Sequence, residues 1–354
     1  MIRPRADLAL MAGYHSPQVE VKVRLNTNES PEPPPAAWER EWLESLRQVD
    51  WNRYPDRGAT RLRQAIAELH GVAADQVFVA NGSNEVLQTL LLTYGGHDRT
   101  AAVWTPTYAL HAHIARITGT QVVEGNRGAD LATDLDEVRR LYDAHRPAVA
   151  FLCSPNNPTG LVDDEATVAT TLELATSVDG LLVVDEAYGQ FAPWSALGLV
   201  APGVPLVVTR TFSKTWSMAA SRLGYLIGPA ELVAELDQVV LPYHLDSAKQ
   251  LAGVLALDHV TEMDARVAHL VEERGRLVAG LAELPVQVWP SGANFVLFRP
   301  LGADGAQVWH DLLARSILVR DFSSVPRLEG CLRVTVGSPA EDDAFLDALT
   351  EILT

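Results

Sequence analysis

Between residues 59 and 228 short apolar runs alternate with segments of helical pattern, and this alternation limits the folds open to the chain more than any other feature. The runs are QVFVA (76–80), TAAVW (100–104), TQVVE (120–124), AVAFLC (148–153), LLVVDE (181–186), PLVVTR (205–210) and RLGYLIG (222–228). Helical stretches fall between them at 59–71, 84–96, from Tyr108, near 134–145 and at 164–177. Strands that are apolar on both faces need cover on both faces, so the pattern predicts an α/β fold: a three-layer α/β/α domain around a mixed, mostly parallel sheet.

Beyond residue 230 the pattern changes. Helical stretches at 231–240 and about 246–281 precede the short strands VQVWP, NFVLFRP and CLRVTVG, with further helices at 304–316 and 340–353. This predicts a smaller α+β domain, as expected where 354 residues exceed what one simple core supports. The division expected is an arm over 1–35, a large domain over 36–245 and a small one over 246–354. The proline cluster ESPEPPPAAW (29–38) reads as an extended connector into a helix.

Charge and cysteine content narrow the function. With a net charge of −17, general binding to nucleic acid or anionic membrane is not expected, although a few local arginines can still gather an anion in a pocket. Cys153 and Cys331 form no disulfide framework and have no metal-knuckle spacing, so no metal is expected and a reducing, cytoplasmic setting fits. The opening MIRPRADLALMAGYHS holds one short apolar piece interrupted by Asp7, which reads as neither signal peptide nor membrane anchor.

In open parallel sheets, ligands bind beyond the carboxyl ends of strands, and four strings fall there. ANGSNE (80–85) couples a glycine turn to a helix start whose amides suit a phosphate, although the same turn would serve as an ordinary helix cap. SPNNPTG (154–160) is a rigid turn whose doubled Asn156-Asn157 turn chemistry alone does not require. LLVVDEAYGQF (181–191) ends a buried run with Asp185, a costly position for a carboxylate unless it meets a cation or hydrogen-bond donor; a cationic ring nitrogen is one such partner, and capping of the next turn is the alternative. In TRTFSKTWSMAASRLGY (209–225), Lys214 lies among hydroxyls and apolar residues with Arg222 eight positions on, an environment that favours the neutral, nucleophilic amine and so a Schiff base.

Taken in order, these strings resemble the fold-type I pyridoxal-5'-phosphate aminotransferases over nearly the whole chain, and within that family they are most similar to its histidinol-phosphate branch. RLNTNESP (24–31), WNRYPDRGATRLRQAIA (51–67), PTYALH (106–111), LPYHL (241–245), ANFVLF and LRVTVG add to the likeness. The resemblance implies pyridoxal 5'-phosphate as cofactor, with Lys214 forming its Schiff base and shuttling a proton. It implies that Asp185 holds the ring nitrogen protonated, that Asn157 and Tyr188 bond the ring's phenolic oxygen, and that Tyr108 stacks on the ring. Ser83, Asn84, Thr211, Ser213 and Arg222 would hold the phosphate, joined by Tyr54 from the partner of a homodimer.

For substrate, the resemblance implies Arg333 and Arg320 as anion contacts, with Tyr14, Asn84, Tyr108 and Tyr243 around histidinol phosphate and 2-oxoglutarate as acceptor. Two strings depart from the family's usual form: Cys153 is followed by Ser154 rather than asparagine, and SMAAS stands where leucine-alanine-glycine is common. Both changes fall between ligating positions and bear on substrate identity more than on the cofactor. The alternatives are an aromatic amino-acid aminotransferase or a phosphothreonine decarboxylase on the same scaffold, and a cofactor-fold regulator without catalysis.

Overall fold

The computed structural model describes residues 2, 5, 8 and 19–354. Among them, twelve strands form two sheets. In chain order these are β1 (Val23–Leu25), β2 (Val77–Ala80), β3 (Thr100–Thr105), β4 (Gln121–Asn126), β5 (Val149–Cys153), β6 (Leu181–Asp185), β7 (Leu206–Thr211), β8 (Gly224–Ile227), β9 (Val286–Val288), β10 (Phe295–Pro300), β11 (Ile317–Asp321) and β12 (Leu332–Thr335). The larger sheet runs β2-β8-β7-β6-β5-β3-β4. Its pairings are parallel from β7 through β4, and β8 lies antiparallel to both β2 and β7.

The alternation along each strand sorts its side chains into two cores. Phe78, Val103, Phe151, Val183 and Val207 pack under the helices Ser83–Tyr94, Ala109–Ile117 and Ala230–Val239. Their neighbours Ala102, Leu152, Val184 and Val208 face the helices Leu135–His145 and Glu165–Ser177, while Val77, Val79 and Tyr225 meet Thr60–His70 and Ser247–Leu257. Because β2 and β5 through β8 are buried along their whole length, the apolar runs are continuous rather than alternating. The three-layer architecture expected from the sequence is the one found.

The smaller sheet runs β1-β11-β12-β10-β9 and packs on Val260–Ala282, Gly305–Ala314 and Pro339–Leu353 through Leu277, Phe295, Phe298, Leu312 and Phe345. Periodicity left out β1 and β11, whose apolar stretches are too short to stand apart from their flanks. The helical stretch expected over 246–281 is two helices, interrupted at Asp258 and His259. Ala252 and Ala256 of the first pack on the large sheet, Leu270, Leu277 and Leu281 of the second on the small one, and the break lets one stretch serve two cores.

In the small sheet's cover, Asp342 is fully buried and accepts a hydrogen bond from Gly337 N at 3.0 Å. Burial pushes its carboxyl up to about 7, and the adjacent charge of Glu273 adds to this against Arg276. The folded protein therefore holds this proton where the unfolded chain has lost it, and that contribution to stability disappears as pH rises through 7. Asp342→Asn keeps the acceptor and removes the charge. Thermal unfolding at pH 5 and pH 8 is expected to show the variant gaining roughly 2–6 °C on the parent over that interval; a constant difference between the two proteins would refute the assignment.

Candidate active site

The parallel register from β5 to β7 sets Cys153, Asp185 and Thr209 level, so the residues that follow emerge at one rim. There a cavity of about 470 Å³ opens between the two sheets. On one side the helix Ser83–Tyr94 begins directly after Gly82, which takes a φ of 78° and supplies no capping side chain, so the first helical amides keep their donors free of a side-chain cap. Two glycines make room: a Cβ on Gly224 would lie 2.3 Å from Ser83 N, and one on Gly82 would lie 3.0 Å from the Arg222 guanidinium. Arg222 reaches back because the chain turns through Ala219–Ser221 and Arg222 adopts a left-handed φ of 53°. Its Nη1 donates to Ser213 Oγ at 3.5 Å, and Thr211 Oγ1 donates to the same oxygen at 2.9 Å. Amides, hydroxyls and a guanidinium converging on a helix start make a cradle for a phosphate.

Lys214 lies beyond this cradle, its Nζ donating to Thr27 O at 3.0 Å. Burial lowers its pKa to about 7, with Arg333 and then Arg222 acting in the same direction and Glu29 against them. At neutral pH a large fraction of this amine is therefore uncharged. Asp185, also buried, is satisfied from two sides: His111 Nε2 shares a hydrogen bond with Oδ2 at 2.8 Å, and Ala187 N donates to Oδ1 at 3.1 Å. His111 is fixed in turn, stacked on Phe151 at 4.8 Å and meeting the edge of Tyr108 at 5.3 Å. Tyr108 donates to Asn84 Oδ1 at 3.3 Å.

The remaining wall comes from the small sheet. Arg333 on β12, 5% exposed, donates through Nη1 to Asn157 Oδ1 at 2.5 Å and through Nη2 to Asn26 O at 2.9 Å. Asn157 Nδ2 donates to the Tyr188 hydroxyl at 3.4 Å, as Asn28 Nδ2 does at 2.9 Å. Burial pushes the Tyr188 phenol up to about 12, so it stays protonated. Arg320 pairs with Arg333 across β11 and β12 and also lines the cavity.

The fold thus brings Ser83, Asn84, Tyr108, Asn157, Asp185 and Tyr188 to one cavity, together with Thr211, Ser213, Lys214, Arg222, Arg320 and Arg333. Tyr54 and Tyr243 stand apart from it, stacked on each other at 4.5 Å with 80% and 43% of their surface exposed. Tyr14 lies outside the described residues. Sequence reasoning missed His111 and Asn28. The signal for His111 was its place three residues after Tyr108 at a helix start; Asn28 could have been found as the second asparagine of RLNTNESP, a residue type that tolerates the left-handed φ of 54° it adopts.

The chain carries three lysines, which makes the amine testable in cofactor-free protein. Acylation of Lys214, followed by peptide mass spectrometry, is expected to rise with pH around an inflection near 7. In Arg333→Met that inflection should move upward, because a neighbouring cation has gone. An unmoved inflection would remove Arg333 from the account.

Residues 20–349 match the family Aminotransferase class I and II. The histidinol-phosphate aminotransferase of Streptomyces avermitilis is 43% identical over 98% of this chain and 96% of its own length. That of Frankia casuarinae is 42% identical over 99% and 90%. Among solved structures, a histidinol-phosphate aminotransferase from Sinorhizobium meliloti in complex with pyridoxal-5'-phosphate superposes with a TM-score of 0.86 at 21% identity, covering 94% of this chain and 91% of that one. An L-threonine-O-3-phosphate decarboxylase from Porphyromonas gingivalis gives 0.80 at 22%, covering 94% and 99%. These structural likenesses speak to the fold, while the family match and the two relatives speak to descent: the chain belongs to the class I and II aminotransferases.

Proposed function

We propose that this chain is a pyridoxal-5'-phosphate-dependent transaminase that takes its amino group from histidinol phosphate, passes it to 2-oxoglutarate, and works as a homodimer in the cytoplasm. The observation that carries the chemistry is the placing of Lys214 in one cavity with the buried carboxylate Asp185 and the cradle closed by Arg222, where burial lowers the amine's pKa to about 7. The choice of donor follows the relatives, which are histidinol-phosphate aminotransferases at about 40% identity over nearly the whole chain.

The residues present fit that cofactor. A phosphate suits the Ser83, Thr211, Ser213 and Arg222 cradle, and a protonated ring nitrogen suits Asp185, whose carboxylate His111 orients. When bound, pyridoxal phosphate supplies an aldehyde for an amine and a ring that draws electron density from the donor's amino-bearing carbon. Asp185 holds the ring nitrogen's proton in place. Asn157 and Tyr188 offer an amide N–H and a hydroxyl to the ring oxygen. Lys214 Nζ, whose burial favours the uncharged amine near neutral pH, would move a proton between the donor's amino-bearing carbon and the cofactor's aldehyde carbon, on the far side of the nitrogen. Arg333 and Arg320 bind the anionic part of donor and acceptor in turn, Arg333 held ready by its bonds to Asn157 and Asn26.

Tyr54 and Tyr243 enter this reading through the partner subunit. An exposed stacked aromatic pair, near Trp51 at 69% and Leu241 at 77% exposure in the sequence, is the kind of surface a second copy covers. Lys214→Ala is expected to cut turnover about a thousandfold or more while thermal unfolding stays cooperative. For the donor, kcat/KM with 2-oxoglutarate as acceptor is expected to favour histidinol phosphate over phenylalanine at least about tenfold. A preference for phenylalanine would replace the proposed substrate with an aromatic amino acid.

A further inference from the structure

The segment from Asn26 to Pro33 connects β1 to the first helix, and its early residues cross the mouth of the cavity: Asn26 O and Thr27 O accept from Arg333 and Lys214. Two anchors hold it. Asn28 is buried and makes four hydrogen bonds, donating from N to Thr335 Oγ1 at 3.0 Å and from Nδ2 to Tyr188, and accepting at Oδ1 from Thr335 Oγ1 at 3.2 Å and at its carbonyl from Asn294 Nδ2 at 3.2 Å. Further along, Ser30 Oγ bonds Ser217 Oγ at 2.9 Å, and Arg266 Nη1 donates to Pro33 O at 2.6 Å.

Glu29 is the residue between the anchors. Its side chain is offered where the main cavity meets a second hollow of about 370 Å³, and it lines both. Oε2 accepts from Thr27 Oγ1 at 2.8 Å and pairs with Arg24 Nη2 at 3.0 Å. Of the described residues lining the main cavity, Asp185 and Glu29 alone are acidic, against Lys214, Arg222, Arg320 and Arg333. Asp185 is committed to His111 and Ala187. Glu29 is not: the Arg24 side chain is 62% exposed and that of Glu29 39%, and an ion pair so exposed contributes little. The carboxylate can therefore exchange Arg24 for another donor at little cost. A surface Glu–Arg pair is ordinarily no more than solvated charge, but this one sits on backbone fixed at both ends and faces the catalytic amine.

We infer that Glu29 determines donor specificity: its carboxylate accepts the N–H of a basic nitrogen heterocycle, an imidazole, on the amino donor, and so favours that donor over one ending in a hydrocarbon ring. The inference rests on the reading of histidinol phosphate as donor. Such a molecule carries an anion at one end and a basic ring at the other, complementary to the arginines and to Glu29 respectively. A phenyl ring brings no N–H to the carboxylate and would leave it partly desolvated without a partner, the asymmetry by which hydrogen-bonding sites reject analogues lacking the group.

Glu29 also acts on the charge of Lys214, so recognition has to be separated from effects through the amine. Lys214→Ala protein loaded with pyridoxal phosphate has no such amine, and calorimetric titration with histidinol phosphate and with phenylalanine, with and without Glu29→Gln, reads recognition alone. Glu29→Gln is expected to weaken histidinol phosphate about tenfold and phenylalanine less than about twofold. In the parent background the kcat/KM ratio of the two donors should narrow by a similar factor, with Glu29→Asp in between. Equal losses for both ligands would mean that Glu29 only holds the segment in place, and no loss for either would mean that it plays no part; both results overturn the inference. A parent enzyme preferring phenylalanine would overturn the reading of the donor instead, while the titrations would still decide whether Glu29 recognises an imidazole.

Discussion

The site depends first on the register of three parallel strands. Because Cys153, Asp185 and Thr209 lie level in β5, β6 and β7, Asn157, Asp185 and Lys214 converge although they lie far apart in the chain. That register is tied on the opposite face by a buried ion pair: Arg210 of β7 donates to Glu186 Oε2 through Nη2 at 2.7 Å and Nε at 3.2 Å. Glu186 follows Asp185 and Arg210 precedes Thr211, so consecutive residues divide the labour, one facing the cavity and the next locking the strand ends together. Burying both charges is costly, and Ser195 Oγ and Ala196 N offset part of that cost by donating to the same carboxylate. Losing one partner would leave a charge uncompensated beside the site.

The second constraint is electrostatic. A chain of net charge −17 repels anions at long range, so any anion it takes must be drawn by cations close at hand. Arg222, Arg320 and Arg333 gather at the cavity, and burial, with Arg333 and then Arg222 acting in the same direction, keeps Lys214 from holding its proton. A cavity that suits anions and an amine that sheds its proton are thus two results of one arrangement. Arginine fills the first role because it stays charged under conditions that discharge a lysine.

Much of this was legible in the sequence because local rules decided it. Each wholly buried strand wrote a continuous apolar run, and each ligating string sat directly after one, so the order of elements and most cavity residues followed. What escaped depended on partners distant in the chain. His111 lies within a helix, and its bond to Asp185, 74 residues away, reaches across β5, on whose Phe151 its ring stacks. Asn28 is anchored by Thr335 at a separation of 307. Tyr54 and Tyr243 belong to recognisable strings, yet their stacking on the exposed surface depends on how the loops after the first helix and before Ser247–Leu257 fold together.

The three residues of β1 show how a weak local signal can carry a large consequence. Val23, Arg24 and Leu25 pair in parallel with Ile317, Leu318 and Val319, so the N-terminal part of the chain completes the C-terminal sheet. Having joined that sheet, the chain must return to the large one to begin the helix Ala36–Leu46, and the route takes Asn26 to Glu29 across the cavity. Arg333 of β12 holds Asn26 and Asn157 together, and Tyr188 accepts from Asn28 and Asn157. A shift of the small sheet would therefore pull on the contacts of Asn157, Tyr188 and Lys214 at once. The geometry of the cavity that Lys214 shares with Asn157 and Tyr188 is consequently a property of both sheets, and short β1 is one of its fasteners.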